Sequence, residues 1–133
     1  MKQRPIAVAL LLCEQLIVDD RTANVTLVNS FSHLVLDGRV GEPQTFGVFV
    51  LLTDGLGTMP AELEIVRLDT EESIYRKQFE IQFQGPLQQI RCLIRVRRCS
   101  FPVTGSYQAT LIVEGECLAL RRFFVGAQES SSS

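Results

Sequence analysis

Apolar residues alternate with polar ones along much of this chain; elsewhere they run together in short blocks bounded by turn residues. The clearest alternation follows Pro102 and Gly105, where Tyr107, Ala109, Leu111 and Val113 fall on one face, because successive side chains of a strand point to opposite sides. Glu114-Gly115 then offers a two-residue reversal, glycine taking positive φ at little steric cost. A hairpin closed there sets Val113 opposite Glu116, Leu111 opposite Leu118, Ala109 opposite Leu120 and Tyr107 opposite Arg122. Its expected inner face is Tyr107, Ala109, Leu111, Val113, Leu118 and Leu120, with the Arg122 cation beside the Tyr107 ring.

Upstream, Ile6 to Val18 is a long apolar run broken by Glu14-Gln15 and ended by Asp19-Asp20-Arg21. It reads as a central or bent strand, with a buried helix as the alternative for a run of this length. From Asn24 to Leu36 the period of two holds and then slips, which predicts a bulge or a break into two strands around Ser30 to His33. Thr45 to Thr53 is apolar on both faces, with Phe46, Val48, Val50 and Leu52 alternating against Phe49 and Leu51. Such a strand is covered on both sides or lies in a subunit interface. Asp54-Gly55-Leu56-Gly57, with Pro60, reads as a hairpin turn, and Ala61 to Leu68 points Leu63 and Ile65 inward. Ile74 to Phe83 sorts Phe79, Ile81 and Phe83 against Gln78, Glu80 and Gln82; Ile90 to Phe101 sorts Ile90, Cys92, Ile94 and Val96 against Arg91, Leu93, Arg95, Arg97 and Cys99. With about eight strand-like segments and no well-patterned amphipathic helix, the chain is expected to be all-β. The architecture predicted is a single-domain antiparallel β-sandwich, immunoglobulin-like, over residues 1–126, with a disordered C-terminal tail at 127–133.

The order of these segments resembles a bacterial family of small β-sandwich proteins, domain of unknown function 6941. The resemblance runs through Ala9-Leu-Leu-Leu-Cys13, Asn24-Val-Thr-Leu-Val-Asn-Ser-Phe31, the aromatic-rich Phe46 to Leu52, Leu63-Glu-Ile-Val-Arg-Leu-Asp69, Phe101-Pro-Val-Thr-Gly-Ser-Tyr107 and the terminal Gly115 to Val125. It covers nearly the whole chain and implies a fold with no assigned activity. Two departures stand out: the turn after Leu68 lacks a glycine, and Arg67 occupies a position that the pattern reserves for an apolar side chain.

The 133 residues are 46% hydrophobic and 21% charged, which excludes global disorder. A net charge of −2 implies no long-range field for steering onto nucleic acid or an anionic membrane, so neither is an expected partner. Lys2 and Arg4 followed by Ile6 to Cys13 imitate a short signal peptide or lipoprotein box; the apolar run is short for that role and Leu12 is not the small residue that cleavage needs, which favours a buried first strand. Cys13, Cys92, Cys99 and Cys117 have neither paired CxxC spacing nor disulfide-scaffold density, and read as reduced thiols in a cytoplasmic protein.

Candidate chemistry is sparse, and no cofactor or metal is expected. His33 is the single histidine, so a zinc site or a nucleophilic pair with Cys99 or Cys117 has to be gathered from scattered segments. Asp19, Asp20, Asp37, Asp54 and Asp69 read as turn residues bonding their own backbone, with loop calcium ligation as the alternative. The glycines of Asp54 to Gly57 lack the following helix of a phosphate cradle. Arg91, Arg95, Arg97, Arg98, Arg121 and Arg122 make the most suggestive series. The plain reading pairs them across strands with Glu80, Glu114 and Glu116; the other makes Arg91, Arg95, Arg97 and Arg121 a face for a ligand or polyanion. The function expected from the sequence is therefore a non-enzymatic interaction or structural module, working through a homo-oligomer or a protein partner. Its candidate surface is Phe49, Leu51, Leu93, Arg95, Arg97 and Arg121.

Overall fold

The computed structural model describes residues 2–36, 38–85 and 87–127. Nine strands occur among these residues: β1 (Ile6–Val18), β2 (Val25–Ser30), β3 (His33–Leu36), β4 (Pro43–Thr53), β5 (Gly57–Arg67), β6 (Ser73–Phe83), β7 (Ile90–Ser100), β8 (Gly105–Val113) and β9 (Glu116–Ala127). They form a four-stranded sheet in the order β2-β1-β4-β7 and a five-stranded sheet in the order β3-β9-β8-β5-β6. The fold is all-β, as the alternation predicts, and one sheet curls into a half-barrel. It is not wholly antiparallel, because β3 runs parallel to β9.

β1 spans the whole first apolar run, paired with β4 along its first half and with β2 from Cys13 onward, and buries Leu10, Leu12, Cys13 and Leu16. The slip after Asn24 is a break: β2 pairs with β1, the chain crosses, and β3 pairs with β9 in the other sheet. Phe31 at the crossing donates its N–H to Leu12 O and Phe124 donates to Ser32 O, so backbone bonds tie this link to both sheets. Between the sheets, Phe46, Phe101, Tyr107 and Phe123 meet ring to ring, with Phe31 edge-on to Phe46 and Phe123. Phe46, Val48, Val50 and Leu52 of β4 and Leu63 and Ile65 of β5 are buried in this core, on the faces expected for them. The Tyr107 hydroxyl donates to Val103 O at 2.6 Å, satisfying a polar group that would otherwise be stranded among aromatics.

Several expectations are corrected or refined. Asp54 to Gly57 is no hairpin turn, because β4 and β5 belong to different sheets and the segment carries the chain between them; Pro60 lies inside β5. Arg67 is accommodated by an irregularity: the β5–β6 ladder shifts between Ile65 and Val66, and the Arg67 guanidinium meets the Asp69 carboxylate at 2.6 Å. The Glu114-Gly115 reversal forms with positive φ at both residues, but the β8–β9 ladder shifts one residue between Ile112 and Leu111. Beyond that bulge Leu111 faces Ala119 and Tyr107 faces Phe123, so Phe123 and Val125 enter the core, Leu118 is half-buried and Leu120 is 52% exposed. Arg122 instead bonds the Gln108 side chain. In β7 an extra residue at Arg98, held at φ 57°, turns Cys99 into the core rather than onto the arginine face. Ala127 is the last residue of β9, opposite Leu36; residues 128–133, on which the rest of the expected tail falls, and Asp37 lie outside those described.

Candidate interaction surface

Gly47, Phe49 and Leu51 of β4 alternate with buried Phe46, Val48, Val50 and Leu52, so they point away from the core. On β7 the register sets Arg95 beside Gly47, Leu93 beside Phe49 and Arg91 beside Leu51, and on β1 Leu11 lies beside Phe49. Five of the six candidate residues, all but Arg121, are thus on the outer face of one sheet. Arg121 is on β9 in the other sheet, opposite Ala109, and lines a groove with Ala7 to Leu11 of β1. It is not part of the Arg95–Arg97 face.

That outer face is partly roofed. Leu16 lies over Gly47 so closely that a Cβ added at Gly47 would meet Leu16 Cγ at 2.8 Å and Cys13 Sγ at 3.1 Å. The Arg95 guanidinium reaches Leu16 O at 3.4 Å and Arg91 reaches Ala23 O at 3.3 Å. The β1–β2 hairpin therefore folds over β4 towards β7. Under this arm Phe49 and Leu51 are half-buried, while Leu93 stays 37% exposed. An apolar patch wide enough to seat another subunit is correspondingly reduced.

The arginine series departs from the expected cross-strand pairing, although Arg76 of β6 does pair with Glu62 and Glu64 of β5. Glu114 takes Lys2 and Glu116 takes Arg4, and among the described residues Arg91, Arg95, Arg97, Arg98, Arg121 and Arg122 are in no ion pair. Arg95 and Arg97 instead meet Lys77 and Tyr75 of β6, with Leu93, at a notch where the edges of the two sheets come together. Burial pushes the Tyr75 hydroxyl above its ordinary range, aided by the Cys99 sulfur. Lys77 and Tyr75 escaped the sequence reading, yet a signal was present. Tyr75, Lys77, Phe79, Ile81 and Phe83 share one parity, and a lysine on the core side of a strand marks the place where that side opens to solvent.

The other candidates are dispersed. His33 is exposed on β3 with its ring edge-on to Phe124, whereas Cys117 is seven residues away along β9, roughly 20 Å at strand spacing, beyond direct proton transfer. Cys99 is buried and its thiol is pushed up to about 12; Cys92 is pushed up to about 11 by the same desolvation. Asp19 accepts the N–H groups of Arg21 and Thr22, which hold its carboxyl below the usual range. Among the described residues no three His, Cys, Asp or Glu side chains gather as a cation cage.

No protein-family model and no curated protein matches the chain. Among solved structures it is similar to the Pseudomonas fluorescens alkylpurine DNA glycosylase AlkC bound to DNA containing an abasic site analog, with 15% identity and a TM-score of 0.46. The match covers 89% of this chain but only 30% of the glycosylase, and likeness of that degree carries no inference about activity. No helix among the described residues is long and apolar enough to cross a membrane.

Proposed function

We propose that this protein is a non-enzymatic interaction module that holds an acidic segment of a protein partner on the basic notch between β6 and β7. The observation that supports it is that Lys77, Arg95 and Arg97 line one notch with Tyr75, without a carboxylate partner among the described residues. Three cations held at one edge raise the local potential although the chain as a whole is slightly acidic, and Leu93 adds an apolar contact beside them. Guanidinium groups suit carboxylates because they offer paired, planar donors.

The immunoglobulin-like reading of the two sheets and membership of the 6941 family belong to the same proposal. The sandwich reading is supported by the Tyr107 hydroxyl bonded back to Val103 O, a device of many such sandwiches.

The test is binding of fluorescent poly-glutamate and of a single-stranded oligonucleotide at several salt concentrations. The expected result is retention of poly-glutamate at low salt, weakened about tenfold on approaching 0.3 M as screening shortens, and abolished in Lys77→Gln/Arg97→Gln. No binding of either probe at low salt refutes the reading; clear preference for the oligonucleotide overturns the acidic-protein assignment.

A further inference from the structure

The groove that contains Arg121 is a second and separate surface. Among the described residues, β1 from Ile6 to Leu11 is hydrogen-bonded only to β4, because its other flank is taken at Leu12, whose carbonyl accepts the Phe31 N–H, and by β2 from Cys13 onward. The first half of β9 is likewise bonded only to β8, because β3 joins from Phe124 onward. These two open edges face each other across the groove lined by Ala7 to Leu11 and Ala119 to Arg121. An open strand edge is a row of unused backbone donors and acceptors, and proteins ordinarily protect one with lysine, proline or inward charge. Ile6 to Leu12 contains none of these, and Ile6 is 56% exposed, Val8 57% and Leu120 52%.

We infer that the open edge of β1 receives an extended segment of a protein partner as an added strand, with apolar side chains at alternate positions and one acidic residue placed for Arg121. The added strand continues the flank that β2 occupies from Cys13 to Val18. Ile6 to Leu11 accommodates about six residues, roughly 20 Å of extended chain. Backbone bonds to the edge supply affinity, and the side chains against Val8 and Leu120 supply selectivity. Charge decides between a foreign segment and a second copy of this chain. Among the described residues Arg121 is in no ion pair, Glu116 at the start of the same strand is taken by Arg4, and Ile6 to Leu12 of another copy brings no carboxylate.

The probe is a seven-residue peptide with valine at alternate positions and a central aspartate, measured by fluorescence anisotropy at 0.15 M salt against its lysine counterpart. The aspartate peptide is expected to bind, with amide exchange slowed at residues 6–11. Arg121→Glu should weaken it about three- to fivefold, the scale of an exposed ion pair, and reverse the preference towards the lysine peptide. Val8→Lys, a change at an exposed position that the fold tolerates, should abolish binding, whereas Lys77→Gln/Arg97→Gln should leave it unchanged, which separates this edge from the basic notch. Absence of binding, or binding insensitive to Val8→Lys, overturns the inference. A dimer in light scattering that Val8→Lys dissociates, without peptide binding, assigns the edge to a second copy and overturns it equally.

Discussion

Replacing Gly47 by alanine probes the roof over the outer face directly. Two effects oppose each other. Alanine in a strand interior loses less conformational entropy than glycine, a gain of about 0.5–1 kcal/mol. Against this, the new methyl would sit 2.8 Å from Leu16 Cγ and 2.9 Å from Leu16 Cδ1, and forcing an extra methyl into a closed contact costs about 1–3 kcal/mol. The net expectation is destabilisation of about 0.5–2 kcal/mol. With about 2.1 cal/mol/K of unfolding entropy per residue, 133 residues give roughly 280 cal/mol/K, so Tm should fall by about 2–7 °C. Leu16→Ala alone removes a buried leucine and should cost about 2–3 kcal/mol. In Gly47→Ala/Leu16→Ala the methyl has room, so the double variant should be at least as stable as Leu16→Ala. Thermal melts of the four proteins close the cycle. If Gly47→Ala melts at or above the parent, or if the two changes add, the arm does not lie on Gly47 and the roofed face has to be redrawn.

Tyr107→Phe removes the hydroxyl that donates to Val103 O, leaving a part-buried carbonyl unpaired; a loss of about 1–2 kcal/mol is expected in urea unfolding. The buried thiols make stability fall in alkali. With Cys92 pushed up to about 11 and Cys99 to about 12 from 9.0, their contribution is complete below pH 9 and lost as pH rises through those values. Urea midpoints should therefore fall more steeply above pH 9 in the parent than in Cys99→Val.

Much of the fold was legible because burial leaves a direct mark on a strand. The limits of β1, the break between β2 and β3 and the inward residues of β4, β5 and β8 all follow from period-two patterning that the core enforces. The placement of strands in sheets was not legible: Asp54 to Gly57 looks the same whether it closes a hairpin or crosses between sheets, since both need a reversal and only distant pairing distinguishes them. The site was half legible. Arg95, Arg97 and Leu93 stand on one face because alternation alone places them there, but Tyr75 and Lys77 come from a strand in the other sheet, and Arg121 left the set for the same topological reason.

The two bulges show why alternation failed where it did, and they connect the core to the surface chemistry. At even register Arg122 would lie opposite Tyr107, which is fully buried, and Arg98 would share the inward face of Ile94 and Val96. Leu118 and Leu120 offer about as much apolar surface as Phe123 and Val125, roughly 1.5–3 kcal/mol per side chain either way, so hydrophobic burial alone does not select the bulge. The position of the arginine decides: even register sets Arg122 against Tyr107 inside the aromatic cluster, where an unpaired guanidinium is costly, whereas the bulge sets Arg121 opposite Ala109, where the groove against β1 leaves it exposed. Inserting one residue in β9 expels Arg122 and brings Phe123 against Phe46, Phe101 and Tyr107; inserting one in β7 expels Arg98 and brings in Cys99 and Phe101. The same shifts have outward consequences. The slip in β9 leaves Leu120 uncovered beside the open edge of β1, and the slip in β7 leaves Arg97 and Arg98 adjacent and exposed at the sheet margin. Both proposed surfaces thus lie where the chain kept arginine out of its core, and the features that make them sticky are the outer side of that solution.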